Sequence, residues 1–417
     1  MQIINNRYQL SGGVDPLALV EQFGTPLYVY DTAIIERQYK RMEMAFDVPD
    51  LRINYACKAN TNLNILRFLQ ELGAGLDAVS IQEVQLGIKA GFDVGKIMFT
   101  PNSVDLDEVV QAVKLGVRIN IDNISMLEQL GHEHPEVPVG IRINPHIMAG
   151  GNNKISTGHI DSKFGISIHQ LPHILKVVEA TGARVDGLHM HTGSDILDAN
   201  SFLLAADILM NTAEHFPDLE YLDFGSGFKV PYKADDIETD IEEVGARISE
   251  RFNQFIKDQG REISLIFEPG KFLVSQAGYF LVGVNVVKPT PSTVFLGVDS
   301  GLNHLIRPMF YGSYHRIENI SKPNGKPRIY SVVGYICETD TFGSNRKIAE
   351  TQEGDVLCLF NAGAYAFSMA SNYNSRFRPA EVMVHNGKAH LIRRRETMED
   401  IMRNQVEVKL EKAEVEV

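Results

Sequence analysis

The chain has 417 residues, 44% of them hydrophobic and 22% charged, the composition of an ordinary folded protein with room for two domains. A formal net charge of −13, with no Lys/Arg-rich run interleaved with aromatics, argues against nucleic acid or an anionic membrane surface as a partner. Three cysteines without a CxxC pair give no sign of a disulfide framework or structural zinc; the start MQIINNRYQLSGG has no secretory pattern, and the most apolar run, Phe272 to Val287, is interrupted by Ser275, Gln276 and Asn285, so a cytoplasmic protein without a membrane span is expected.

Residues 1–30 are expected to add a strand or two to a domain completed much later in the chain. From Leu51 to Glu268 short apolar or alternating runs are each followed by turn residues and a stretch of helical period. The strands are LRINYACK, GLDAVS, KIMFT, VRINID, VPVGIRIN, RVDGLHMH, LEYLDFG and SLIFE; between them lie helical segments such as NLNILRFLQELG, SIQEVQLGIKAG and DIEEVGARISERFNQFIKDQG, opened by Asn, Ser or Asp and closed by Gly. Strand–helix alternation predicts a parallel α/β architecture, and eight repeats fit a closed (β/α)8 TIM-like barrel or a doubly wound open sheet. The polar residues favour the barrel. Lys58, Asp77, Asn120, Arg142, His191, Asp223 and Glu268 all fall near C-terminal strand ends, which a barrel gathers into one mouth.

After Gly270 the helical period fades, and YFLVGVNVV, TVFLGVD, RIYSVVGYI, DVLCLFNAG, AEVMVHNG and KAHLIRR read as strands of a mostly antiparallel β domain. The expected division is 1–30 with the β domain, 31–270 as barrel and 271–417 as β domain, ending in a charged, solvated tail.

Within that frame YACKAN places Lys58 at the top of a strand, on the same face as Asn54 and Ala56 and so toward the barrel mouth. Lysine is most often a surface cation. In a partly desolvated mouth it loses its preference for the charged form, and a neutral amine can condense with a carbonyl. HMHTGSD carries His189 and His191 two residues apart; metal ligation, a structural pair and a cofactor contact are all open, although no third ligand is assigned. Ser194 in that loop and the glycines of DFGSGFKVPY, Gly225 and Gly227 flanking Ser226, offer N–H and hydroxyl donors for an anion. EPGK puts Glu268 and Gly270 at the last strand end, where Glu268 serves either as a salt-bridge partner of Arg142 or Lys58 or as the partner of a protonated ring nitrogen. HLIRPMFY supplies Arg307 and Tyr311, CETD supplies Cys337 and Glu338, and NAGAY supplies Tyr365.

YACKAN, HMHTGS, DFGSGFKVPY, EPGK, RPMFY, CETD and GAY occur in the order seen in barrel-type (fold type III) pyridoxal 5'-phosphate (PLP)-dependent decarboxylases, and the chain most closely resembles the diaminopimelate decarboxylase family; STGHIDSKFGI, from Ser156 to Ile166, is similar to that family's loop after the fifth strand. The resemblance implies a homodimeric carboxy-lyase of lysine biosynthesis that converts meso-2,6-diaminopimelate to L-lysine and CO2. Related decarboxylation of another basic amino acid or carboxylated polyamine, and a non-catalytic PLP-binding relative, are the alternatives. It further implies that Lys58 carries PLP, that His191 stacks on the ring, that Ser194 and residues 225–227 hold the phosphate, and that Glu268 keeps the ring nitrogen protonated so that the ring accepts electrons as CO2 leaves. Arg142, Gly270 and Tyr365 join the cofactor site. Arg307 and Tyr311 bind the distal carboxylate, Glu338 the distal ammonium, and Lys58 or Cys337 returns a proton to the α-carbon, with Cys337 and Glu338 coming from the partner subunit. No metal is expected. Three positions depart from the pattern: Ser226 stands where a third glycine is usual, Lys271 where an arginine follows EPG, and CETD is one residue shorter than C-E-S-x-D, so Lys271 and Asp340 receive no role by resemblance.

Overall fold

The computed structural model describes residues 1–147, 161–233 and 235–410. Ser156 to residue 160 of the STGHIDSKFGI loop lie outside the described residues.

Local chemistry sets the helices between residues 51 and 268. Helix N-termini leave free N–H groups, and small polar side chains at the caps accept them: Ser80 from Glu83, Asp105 from Glu108, Asn123 from Met126 and Asp240 from Glu243. Gly91, Gly116, Gly182 and Gly260 end helices in the left-handed conformation.

The eight expected strands form: β1 (Leu51–Ala56), β2 (Gly75–Ala78), β3 (Ile97–Phe99), β4 (Arg118–Ile121), β5 (Val139–Asn144), β6 (Val185–His189), β7 (Tyr221–Asp223) and β8 (Ser264–Phe267). Each pairs in parallel with the next, and β8 returns to β1 with Phe267 opposite Ile53, closing the barrel. The (β/α)8 reading holds, and the open-sheet alternative does not. A two-residue strand, Ile166–Ser167, adds to β5. Toward the base of the barrel Tyr221 is fully buried, and its hydroxyl donates to Asn120 Oδ1 at 2.9 Å. Its ring occupies space that glycines leave open, because a Cβ at Gly187 would lie 1.9 Å from Tyr221 Cζ and one at Gly140 2.2 Å from its hydroxyl.

The second sheet is mostly antiparallel. Its long strand Gly278–Pro289 pairs antiparallel with Leu27–Asp31, Val294–Val298 and Val356–Leu359, while Leu27–Asp31 pairs in parallel with Ala380–His385. Two of its strands, Ile317–Asn319 and Thr341–Ala349, escaped the sequence reading; the first is three residues long, and TFGSNRKIA alternates too weakly to signal a strand. No helix among the described residues is long and apolar enough to cross a membrane.

The two sheets meet around YACKAN. Tyr365 N–H donates to Ala59 O at 2.8 Å, Asn60 Nδ2 to Gly363 O at 3.3 Å, and Asn62 Nδ2 to Glu381 Oε2 at 2.8 Å. Glu381 is fully buried, also accepts the Tyr30 hydroxyl at 2.6 Å, and pairs with Arg393.

Candidate active site

β1 ends at Ala56, earlier than LRINYACK implies, and Lys58 sits on a single 3-10 turn, Cys57–Ala59, that delivers its side chain into the mouth. The mouth is lined by Lys58, Arg142, His191, Ser194, Ser226, Gly227, Glu268, Gly270 and Tyr365 among the expected residues.

Lys58 is not the neutral amine expected of it. Burial opposes its charge, but Asp77 accepts from Nζ at 2.7 Å, with Tyr365 and Glu268 nearby, and the ammonium is held above the usual lysine range. Asp77 is 1% exposed, so its own carboxyl is pushed up by burial and by Glu268 while Lys58 opposes that push. At neutral pH the pair is an ammonium against a carboxylate.

Glu268 bonds neither of the cations expected for it. Its Oε2 meets His189 Nε2 at 3.0 Å, from the end of β6. Burial disfavours its charge, but His189 and Lys58 outweigh that and draw its pKa down; Asp223, buried against Glu268, is pushed well up. Glu268 is thus the anion and Asp223 the protonated acid. His189, Asp223 and Glu268 have ligand atoms within 4.8 Å of one another, but the hydrogen bond from His189 to Glu268 already uses two of them.

The Ser226 N–H donates to His191 Nδ1 at 3.2 Å, which fixes that nitrogen as an acceptor, and burial followed by the charge on Arg142 lowers the ring's pKa to about 3. His191 is therefore neutral. Gly225 and Gly227 both have positive φ, and a Cβ on them would lie 2.4 Å from Met190 O and 2.6 Å from Gly193 O. Only glycine allows that approach, which leaves a concave run of backbone beside Ser194. Ser226 between them needs no such freedom, since its own φ is not positive.

Arg307 is 8% exposed, with its guanidinium 5.6 to 5.9 Å from the rings of Tyr232, Tyr311 and Tyr365. It donates to Tyr232 and Ser313 hydroxyls at 3.4 Å, while its Nε has no protein partner. Cys337 and Glu338 are exposed and do not line the Lys58 mouth of their own chain. Lys271 is 9% exposed, lines the mouth and pairs with Asp195. Asp340 is structural: its carboxylate accepts the Leu302 N–H at 2.6 Å and the Ile336 N–H at 2.9 Å, beneath the CETD turn.

The residues present fit a phosphorylated, protonated heterocyclic aldehyde. Glu268 is a buried anion held by His189 and by the protonated Asp223, and a glycine cradle and a lysine flank it. Asp77 and Asp195 were visible to sequence reasoning only as strand-end or loop polar residues, and His189 as one half of H-x-H with its role open.

Comparison with known proteins agrees with this geometry. Residues 32–275 match the family described as pyridoxal-dependent decarboxylase, pyridoxal binding domain. The chain is 40% identical over 416 residues to a diaminopimelate decarboxylase of Methanothermobacter thermautotrophicus, covering 97% of each, and 36% identical over 403 residues to that of Escherichia coli K12, covering 93% of this chain and 95% of the relative. Among solved structures, a diaminopimelate decarboxylase from M. jannaschii in co-complex with L-lysine superposes with a TM-score of 0.89 at 33% identity, covering 97% of this chain and 98% of that one. The chain belongs to the diaminopimelate decarboxylase family of pyridoxal-dependent enzymes.

Proposed function

We propose that the protein removes CO2 from meso-2,6-diaminopimelate to give L-lysine, the last step of lysine biosynthesis, with PLP as cofactor. The observation that carries this reading is the convergence, in one mouth, of Lys58, the buried anion Glu268 and the neutral His191, with the buried Arg307 beside Tyr365. The names of its relatives point the same way.

When bound, PLP supplies an electron sink for the pair left on the α-carbon as CO2 departs. Glu268 holds a proton at the ring nitrogen. His191, uncharged, would offer its ring to the cofactor without competing for that proton. Ser194 and residues 225–227 anchor the phosphate, with Arg142 and Gly270 completing the pocket, and Lys58 is the covalent attachment point. Arg307 and Tyr311 orient the distal carboxylate of the substrate, and Tyr365 closes the site above Lys58. A buried arginine facing a plain diamine precursor would lose about 2–5 kcal/mol, which favours a substrate with a carboxylate at each end.

Cys337 and Glu338 serve the site of a partner subunit in a homodimer, Cys337 returning the proton to the α-carbon and Glu338 meeting the distal ammonium. Their exposure, beside the exposed Met309 and Tyr373, supports this. The working division of the chain is 1–30 and 271–417 as β domain and 31–270 as barrel. Three free cysteines fit a cytoplasmic setting.

The test is to supply purified protein with PLP and diaminopimelate and quantify lysine and CO2. Faster turnover of ornithine, arginine or a carboxylated polyamine overturns the substrate; no turnover of any of them, with PLP bound, leaves a binding relative.

A further inference from the structure

CETD presents its two reactive side chains from a turn whose underside is tied down by Asp340. What aims them sideways is a different segment, the SNYN run after GAY. Asn374 Oδ1 lies 3.3 Å from the backbone N–H of Cys337 and accepts from it, which orients the amide so that its Nδ2 donates to Cys337 Sγ at 3.1 Å. The neighbouring Tyr373 hydroxyl donates to Glu338 Oε1 at 2.9 Å. Neither contact is with a residue close in sequence.

The backbone of this segment is arranged at some cost. Asn374 and Ser375 are consecutive left-handed residues, with φ of 57° and 56°. Asparagine tolerates that conformation; serine has no preference for it, and such strain persists where surrounding contacts enforce it. The contacts here include Ser371 N–H to Asn303 O at 2.7 Å and Asn372 Nδ2 to Arg376 O at 3.0 Å.

We propose that Asn374 and Tyr373 are positioning residues, Asn374 holding and polarising the Cys337 thiol and Tyr373 aiming the Glu338 carboxylate. The inference rests on the reading that Cys337 and Glu338 act in the reaction. The sulfur is held by both ends of the amide, accepting from Nδ2 at 3.1 Å and donating to Oδ1 at 3.4 Å, so its direction is set by Asn374. A hydroxyl donating to one carboxylate oxygen leaves the other free for an ammonium.

The two roles separate in experiment. Asn374→Asp keeps the oxygen that accepts the Cys337 N–H, removes the donor facing sulfur and adds a negative charge there; Asn374→Ala, expected to slow alkylation to a similar extent, removes the donor without the charge. In N374D, alkylation of Cys337 by iodoacetamide, followed by peptide mass spectrometry, is expected to slow by roughly three- to tenfold, the weight of one hydrogen bond. Its kcat is expected to fall to a similar extent, with KM within about twofold. Tyr373→Phe is expected to do the converse, raising KM by roughly three- to tenfold with kcat nearly unchanged. C337A/N374D is expected to be no slower than C337A, and E338A/Y373F no weaker than E338A. Alkylation of N374D at or above the wild-type rate, or equal effects of both variants on kcat and KM, overturns the proposal. A C337A protein with wild-type kcat instead overturns the reading beneath it, whatever the SNYN variants do.

Discussion

Lys58 Nζ lies 2.7 Å from Oδ2 of Asp77, although the two are on different strand ends and 19 residues apart. The barrel register makes the pair: β1 and β2 align Ala56 with Asp77, so the turn after Ala56 carries Lys58 over the carboxylate. Without Asp77 the ammonium loses the counter-charge that holds its pKa up. In Asp77→Asn the pH midpoint for PLP capture by apoprotein, followed by absorbance, is expected to move downward, because the neutral amine becomes available at lower pH. A midpoint that stays put or rises would show that Asp77 does not control the amine.

Glu268 is a buried anion that meets His189 at 3.0 Å and the protonated Asp223 beside it. Glu268→Gln keeps the shape and removes the charge, so it can no longer hold a proton on a ring nitrogen. With PLP content unchanged, kcat is expected to fall on the order of 10²-fold, the usual size of a preorganised electrostatic contact. Turnover assays normalised to bound PLP check this.

Toward the base of the barrel the prediction concerns stability. Gly187→Ala drives a methyl into the ring of Tyr221, which the closed strands cannot move aside, and is expected to cost about 1–3 kcal/mol by chemical denaturation. Tyr221→Phe leaves Asn120 Oδ1 without its donor and is expected to cost about 1–3 kcal/mol.

Acid should loosen the β domain. Burial lowers His304 to about 4 and His315 to about 3, so both rings are neutral in the fold. The unfolded chain takes up their protons below the ordinary value of 6.5. Their contribution is therefore complete above that pH and declines as pH falls toward 4 and then 3, by roughly 3 kcal/mol for His304. Denaturation midpoints at pH 7.5 and 5 measure it, and His304→Asn is expected to flatten the difference.

The barrel was legible because period, caps and terminating glycines all agree, as in Ser80 through Gly91. Lys58, Glu268 and the glycine pair could be found because strand ends converge in any such barrel. Their partners could not. Asp77 meets Lys58 and His189 meets Glu268 across neighbouring or distant strands, relations that depend on closure and register rather than on spacing along the chain. The same limit applied to Asn374, whose contact with Cys337 spans 37 residues and two loops.

Glu381, itself fully buried, joins the buried Tyr30 and Asn62 to the exposed Arg393. Glu381→Ala leaves the buried Tyr30 hydroxyl and Asn62 amide without their acceptor and unties Asn62 from the sheet, and is expected to destabilise the protein by about 1–3 kcal/mol, with PLP affinity falling as well. Thermal melting with and without PLP distinguishes the two losses.

The carbonyl of Ala59, next to the lysine, receives its hydrogen bond from Tyr365, which the chain reaches only after three hundred further residues. A ribosome that has finished every strand of the barrel has thus not yet finished the seat of the amine. Truncation, domain exchange or any fusion that keeps the barrel alone should yield a well-formed shell unable to retain its cofactor.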